Sequence, residues 1–132
     1  MTVRWDELVY KYVVGPEKGN GGAVCGPDGG VLGRSETMKI TLEEVRDCWK
    51  IFHHSTTKES ITLCGVVFKI KEISDNEDIN YITAVSDKYH CGCTLIETNN
   101  GFVIGYYDQP ITSIQNIQAT INLAENVIAL GY

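Results

Sequence analysis

The sequence predicts an α+β domain in which helices cover an antiparallel sheet. Three observations predict this fold class. Apolar residues recur with helical spacing near the amino end, strand-like segments separated by turns run from Ser60 to Tyr107, and a long amphipathic segment follows Pro110. The chain has 132 residues and no internal repeat, so we interpret residues 1–132 as a single domain.

The amino end predicts a helix followed by a hairpin. Over 3–13, apolar residues recur at helical spacing and so share one side of a helix: Trp5, Leu8, Val9, Tyr12 and Val13. The glycine-rich residues 15–22 end this helix. Two short apolar segments, 23–25 and 30–32, flank GPDG at 26–29 and predict two strands joined by a tight turn.

A second helix is predicted over 41–52. Thr41 and Glu44 have the spacing of a capping box, in which each side chain accepts a hydrogen bond from the other residue's backbone N–H. The polar run HHSTT at 53–57 ends the helix. Its apolar face consists of Leu42, Val45, Trp49 and Phe52.

The middle of the chain predicts a meander of strands. Segments rich in β-branched and aromatic residues lie at 61–63, 66–70, 79–85, 94–97 and 102–107. Gly65, the acidic segment 74–78 and the run NNG at 99–101 separate them. Asn100-Gly101 is a strong hairpin signal, because both residues tolerate a positive φ.

The last helix has the clearest pattern. Thr112 and Gln115 repeat the capping-box spacing, and a glycine at 131 ends the helix. Periodicity alone favours buried positions for Ile114 and Ile117, with the polar residues between them merely solvated. The alternative is that the polar stripe of Thr112, Gln118 and Asn122 contacts a partner. The apolar face consists of Ile114, Ile117, Ile121, Ala124 and Ile128.

Composition and charge exclude several classes of function. Seventeen acidic residues against eleven basic ones give a net charge of −6, so binding to nucleic acid is not expected. No apolar run approaches the length of a membrane span, about 18 residues. No nucleophile elbow, phosphate-binding loop or catalytic acid pair is recognisable. We therefore expect a non-enzymatic, cytoplasmic protein without a cofactor, whose five cysteines are reduced.

The segment HCGC at 90–93 is a candidate metal site. Thiolates and imidazole are zinc ligands, but no second ligand pair follows at a recognisable spacing. On a strand, Cys91 and Cys93 point to the same face. We interpret them as small strand residues rather than as metal ligands or a redox pair.

Several motifs together resemble the profilin family, especially its plant and protozoan members. At the carboxyl end the similar segments are GCTLI at 92–96, GFVIGYYDQPIT at 101–112 and ALGY at 129–132. At the amino end they are Trp5, GAVCGPDGGV at 22–31, TLEEV at 41–45 and LCG at 63–65. Residues 53–60 and 72–90 have no clear counterpart. The resemblance implies a central antiparallel sheet with the two terminal helices on one face and a short helix on the other.

The resemblance also implies binding to monomeric actin, and with it regulation of actin polymerisation. This chain has no Lys or Arg after Lys88, so positive charge at the actin surface is expected only from Lys69, Lys71 and Lys88. We therefore expect actin binding that is weaker or less dependent on salt than in a basic profilin, because complementary charge chiefly accelerates encounter. The helix positions that match the family's actin contacts are Ile111, Thr112, Ile114, Ile117, Gln118 and Asn122.

A groove for proline-rich segments is a second activity that the resemblance implies. The family builds it from aromatic residues of both terminal helices and the first hairpin, which grip an already extended ligand. Trp5 and Tyr132 match two of these positions. Tyr10 and Tyr12 are candidate substitutes, although Tyr12 is more simply interpreted as facing the core. We expect weak or absent poly-proline binding, since three positions have lost their aromatic residue: Leu8, Leu32 and Asn126.

Strong phosphoinositide binding, the family's third activity, is not expected. Such sites need several clustered basic residues, and Lys69 and Lys71, which share a strand face, are only two. The sequence therefore predicts a monomeric actin-binding protein of the cytoplasm and cytoskeleton. The alternatives are a profilin-like adaptor that docks another cytoskeletal or trafficking partner, and a small-molecule sensor domain, which a cavity would favour.

Overall fold

The structure, a computed structural model, describes residues 4–53, 59–75 and 79–132. Helices lie at α1 (Trp5–Val9), α2 (Leu42–His53) and α3 (Ser113–Ala129), and α1 continues into a π-helical turn at Tyr10–Val14. The strands are β1 (Gly21–Cys25), β2 (Val31–Arg34), β3 (Ser60–Leu63), β4 (Val66–Asp75), β5 (Asn80–Ser86), β6 (Cys91–Glu97) and β7 (Phe102–Asp108).

All these strands form one antiparallel sheet in the order β2-β1-β7-β6-β5-β4-β3. Helix α1 packs on β1 and β2, and α3 packs beside it on β6 and β7, so both terminal helices cover the same face. Helix α2 lies on the other face. The predicted α+β class and the placement of its helices are therefore confirmed.

Each face of the sheet has its own hydrophobic core. Along each strand, side chains alternate between the two faces, so β1 sends Val24 to one core and Cys25 to the other. The terminal-helix core joins α1 and α3 to the sheet through Val9, Val13, Leu123 and Val127. The α2-side core joins α2 to the sheet through Val45, Cys48 and Ile51, against Phe68, Leu95 and Phe102.

Both predicted capping boxes are present. Thr41 Oγ1 accepts the Glu44 N–H at 3.2 Å while Glu44 Oε1 accepts the Thr41 N–H at 2.9 Å, and Thr112 and Gln115 form the same pair at α3. The buried Glu44 carboxylate has a further role, because it also accepts the backbone N–H groups of Cys64 and Gly65. One side chain therefore fixes both the start of α2 and the β3–β4 turn.

Several predicted boundaries shift. Strand β4 runs to Asp75 rather than ending at residue 70, because β5 pairs with it along that length. Strand β6 begins at Cys91, so Cys91 and Cys93 both pack into the α2-side core, as small strand residues on one face. Residue 3 of the first predicted helix, residues 54–57 after the second and residues 76–78 of the acidic segment lie outside the described residues.

The burial of Ile114 and Ile117 that periodicity alone favours is wrong, and the exposed positions that the family resemblance favours are closer to the structure. Ile114 is 78% exposed and Ile117 is only half-buried. The buried side of α3 instead carries two polar residues, Asn116 and Thr120, beside Ala119, Leu123, Ala124 and Val127. Thr120 fits this side because it lies over Gly105, where any β-carbon would meet its hydroxyl.

Candidate functional site

An exposed aliphatic row follows one side of α3. We call Ile114, Ile117, Ile121 and Ile128 the isoleucine flank, because their spacing puts them together on the helix surface. Ile114 and Ile128 are exposed, Ile117 is half-buried, and Ile121 is half-buried and packs against the terminal-helix core. Helix α1 lies on the β1 side of α3, so the sheet beyond β6 continues on the other side of α3. An apolar row beside an open sheet face is typical of a protein-binding surface.

The sheet continues beyond α3 with its terminal-helix face open. Phe68 and Ile70 pack into the α2-side core, so Lys69 between them faces the terminal-helix side, where it is exposed. Lys69 stands in register with Val85, then Gly92 and then Tyr107, in one row across four strands. Burial is the main cause that raises the pKa of Tyr107, and the nearby Ser113 side chain at the start of α3 acts in the opposite direction. This row links Lys69 to the start of the isoleucine flank.

A bulge interrupts β4 at Lys71. Ile70 pairs with Ala84 and Glu72 pairs with Thr83, so Lys71 is an extra residue on its strand. The regular alternation that would align Lys71 with Lys69 therefore ends at this point. The Glu72 carboxylate accepts the Tyr81 hydroxyl and adds a negative charge to the same region.

The β5–β6 turn contributes Lys88 and an aromatic residue that the sequence analysis did not select. Lys88 Nζ lies 5.2 Å from the centroid of the Tyr89 ring, and Tyr89 is 56% exposed. The His90 carbonyl accepts the Gln109 N–H at 3.3 Å, which holds this turn against the segment that leads into α3. A large aromatic residue in an otherwise polar turn, DKYH at 87–90, was the available signal for Tyr89.

Gln118 and Asn122 lie on the side of α3 toward α1. With Ile114, at the start of the isoleucine flank, they line a groove of about 440 Å³ beside Lys11, Tyr12 and Lys18. Positive charge near α3 therefore does not come only from Lys69, Lys71 and Lys88, and that expectation is corrected. Lys11 and Lys18 come near α3 only in the folded protein, because α1 and the loop after it pack alongside that helix.

The first two α3 candidates sit where the helix begins. Thr112 is exposed and caps α3, with its hydroxyl accepting the Gln115 N–H at 3.2 Å. Ile111 is half-buried and lines a neighbouring groove with Pro110 and Lys18. Thr112 and Ile111 therefore lie at the end of α3 nearest the β5–β6 turn.

Only part of the predicted proline groove is aromatic. The rings of Trp5 and Tyr132 are 5.4 Å apart, which brings the two terminal helices together. Leu8 is half-buried beside them, and Asn126 donates from Nδ2 to the Asn122 carbonyl, so neither supplies a ring. Leu32 is 42% exposed and shares a groove of about 540 Å³ with Tyr10.

The two tyrosines that are candidate substitutes lie on different sides of the π-helical turn that follows α1. Tyr10 accepts the Glu36 N–H at 3.0 Å through its hydroxyl oxygen and stands beside Leu32 and Asp6. Tyr12 faces α3 and packs against the terminal-helix core, as its core-facing interpretation predicted. Tyr10 is thus an additional ring near the proline groove.

The described residues hold no group of three potential metal ligands. Burial raises the pKa of Cys93 far above its ordinary value, which leaves it a neutral thiol.

Among the residues that the structure describes, no helix is both long and apolar enough to cross a membrane.

Comparison with known proteins gives a consistent result. A family model described as Profilin matches residues 3–132. Profilin-1 of Entamoeba histolytica is 26% identical over 132 residues, covering 97% of this chain and 98% of that protein. The structure of Acanthamoeba castellanii profilin II superposes with a TM-score of 0.85 at 18% identity, covering 97% and 99% of the two chains. LokiProfilin1, solved in complex with rabbit actin, has a TM-score of 0.76 at 14% identity and covers 98% of each chain.

Proposed function

This chain belongs to the profilin family, and we propose that it binds monomeric actin and so regulates the growth of actin filaments. A relative of the same fold, LokiProfilin1, forms a complex with rabbit actin. The observation that carries the proposal is the isoleucine flank, where Ile114 is 78% exposed on a helix whose other side is fully packed. An aliphatic side chain that the fold itself does not bury is available to a partner.

The proposed contact surface extends from the isoleucine flank across the open sheet face. Lys69 on β4 and the Lys88–Tyr89 turn adjoin it, with Lys71 at the bulge as its outer limit. Ile111 and Thr112 border it at the start of α3, and Gln118 and Asn122 border it on the side of α1. Its centre is apolar and its basic groups lie at the rim, the arrangement common in transient protein interfaces.

Replacing Ile114 by aspartate tests this surface. A charge in the apolar centre must be desolvated in the complex, so Ile114→Asp should weaken actin affinity about tenfold or more. The readout is the rate of spontaneous assembly of fluorescent actin with increasing protein, which the unmodified chain should slow. Because the side chain is exposed, the fold should persist, which circular dichroism checks.

Leu42→Asp is the matched control. Leu42 is 49% exposed at the first residue of α2, on the opposite face, where an acidic residue suits the helix start. It should leave the effect on assembly unchanged. If Ile114→Asp and Leu42→Asp behave alike, the isoleucine flank is not the contact. If the unmodified chain does not alter assembly at all, the proposal gives way to an adaptor that docks another partner.

The proposal also covers where the protein acts and how strongly it binds proline-rich segments and phosphoinositides. We place this non-enzymatic protein in the cytoplasm, associated with the actin cytoskeleton and acting as a monomer. Poly-proline binding is weak, because Trp5 and Tyr132 are the two aromatic residues at the five groove positions. Phosphoinositide binding is weak as well, since Lys69 and Lys71 are followed by Glu72 rather than by further basic residues.

A further inference from the structure

A cavity of about 430 Å³ opens on the α2 side of the sheet, away from the proposed actin surface. Phe68 on β4 and Tyr106 on β7 are separated by two strands in the sheet, yet their rings meet edge to face with centroids 6.2 Å apart. The sheet must therefore curl strongly here, and the cavity occupies the mouth of the curl. Its volume falls in the range of small-molecule sites.

The cavity has one apolar wall, which is held in place. Met38, Val66 and Phe68 supply this wall, and Cys64 lies at its edge in the β3–β4 turn. The two N–H groups of that turn, from Cys64 and Gly65, are bound by the buried Glu44 carboxylate at 3.0 and 2.9 Å. The wall therefore exists before any ligand arrives, which lowers the entropy cost of binding.

The opposite wall is polar and carries a negative charge. Asp108 is the one charged side chain among the described residues that line the cavity. The Tyr106 hydroxyl donates to Asp108 Oδ1 at 2.7 Å, and Asn20 Oδ1 accepts the Asp108 N–H at 2.7 Å. Burial, followed by the bond to Asp108, raises the pKa of Tyr106, so the hydroxyl stays a neutral donor. Asp108 thus accepts this hydrogen bond with one carboxylate oxygen and has a second oxygen.

We propose that this cavity binds a small organic cation, an alkyl- or arylalkylammonium whose apolar body lies against Met38, Val66 and Phe68 and whose ammonium group pairs with Asp108. An apolar wall that faces a single carboxylate favours an amphipathic cation over a neutral or anionic molecule. No residue of the isoleucine flank lines the cavity.

The test compares three probes of one shape: 2-phenylethylammonium, neutral 2-phenylethanol and anionic phenylacetate. Backbone amide resonances are followed in a titration of the full chain. The ammonium probe should bind about fivefold more tightly than the alcohol, a margin worth one partly exposed charge pair, and the anion should bind least. Shifts should concentrate at Asn20, Cys64, Val66 and Asp108. Equal binding of the ammonium and the alcohol, or shifts confined to other regions, would overturn the proposal.

Asp108→Asn should abolish the ammonium's advantage in affinity over the alcohol. Asp47→Asn should preserve that advantage, because it makes the same change in net charge at an exposed carboxylate on α2.

Cys64 gives a second readout that needs no variant. It is the exposed cysteine, and the other four are buried, so alkylation of the native chain reports on this wall. Saturating ammonium probe should slow Cys64 alkylation, and an unchanged rate would count against the site.

Discussion

At the scale of the single residue, Asn116 determines which side of α3 faces the sheet. It is completely buried, and its side chain is bonded at both ends: Oδ1 accepts the Thr94 hydroxyl at 2.9 Å and Nδ2 donates to the Lys18 carbonyl at 3.1 Å. Rotating the helix to bury the isoleucines would leave these groups unpaired in an apolar setting. The exposed flank is therefore a consequence of a polar anchor on the other side.

Asn116→Ala should lower the free energy of unfolding by about 2 kcal/mol, because the Thr94 hydroxyl and the Lys18 carbonyl lose their partner. Urea unfolding followed by circular dichroism measures this change. Asn122→Ala on the exposed side of the same helix should change stability by less than about 0.5 kcal/mol. Equal effects from both variants would mean that Asn116 does not anchor α3.

At the scale of the element, the two capping boxes could be predicted because their donors and acceptors lie three residues apart in sequence. The face of α3 could not, since it depends on Gly105 beneath Thr120 and on Lys18, which is 98 residues from Asn116. Apolar periodicity selected the isoleucines, and their exposure follows from the polar residues on the buried side of the helix.

Part of the candidate site could likewise be predicted from the sequence, and part of it could not. The positions of the α3 residues followed from helix spacing, so Ile114 and Ile117 do lie on a common flank. The bulge at Lys71 depends on how β4 pairs with β5, and the nearness of Lys11 to Gln118 depends on how two helices pack. Neither the bulge nor this nearness can be predicted from a local sequence pattern.

The terminal helices also give a prediction about proline ligands. With Trp5 and Tyr132 alone in place, a proline oligomer should show no saturable binding below about 1 mM, because each missing aromatic anchor removes about 1–2 kcal/mol. Replacing Leu8 and Asn126 together by tyrosine should strengthen binding at least about tenfold, measured by calorimetry. Tight binding by the unmodified chain would indicate that Tyr10 already supplies the missing contact.

At the scale of the whole molecule, the charge distribution sets how actin binding responds to salt. The chain carries a net charge of −6, and the lysines near the proposed surface stand at its rim and share the region with Glu72. Apolar burial at the isoleucine flank should therefore dominate the affinity, and screening should affect it little.

Raising ionic strength from about 20 mM to about 150 mM should accordingly weaken actin binding less than about tenfold. Sedimentation velocity of the two proteins at both salt concentrations gives the dissociation constants. A steeper loss of affinity would mean that Lys69, Lys88 or the lysines beside α1 contribute more than the apolar centre.

Hydrogen–deuterium exchange of this chain, alone and with saturating monomeric actin, tests most directly whether the isoleucine flank and the adjoining sheet face are the actin contact. We predict slower exchange in the first half of α3, from Ile114 to Ile121, and in the Lys88–Tyr89 turn, with no change around Trp5 and Leu32. Protection confined to the Trp5 and Tyr132 end, or no protection anywhere, would contradict this account.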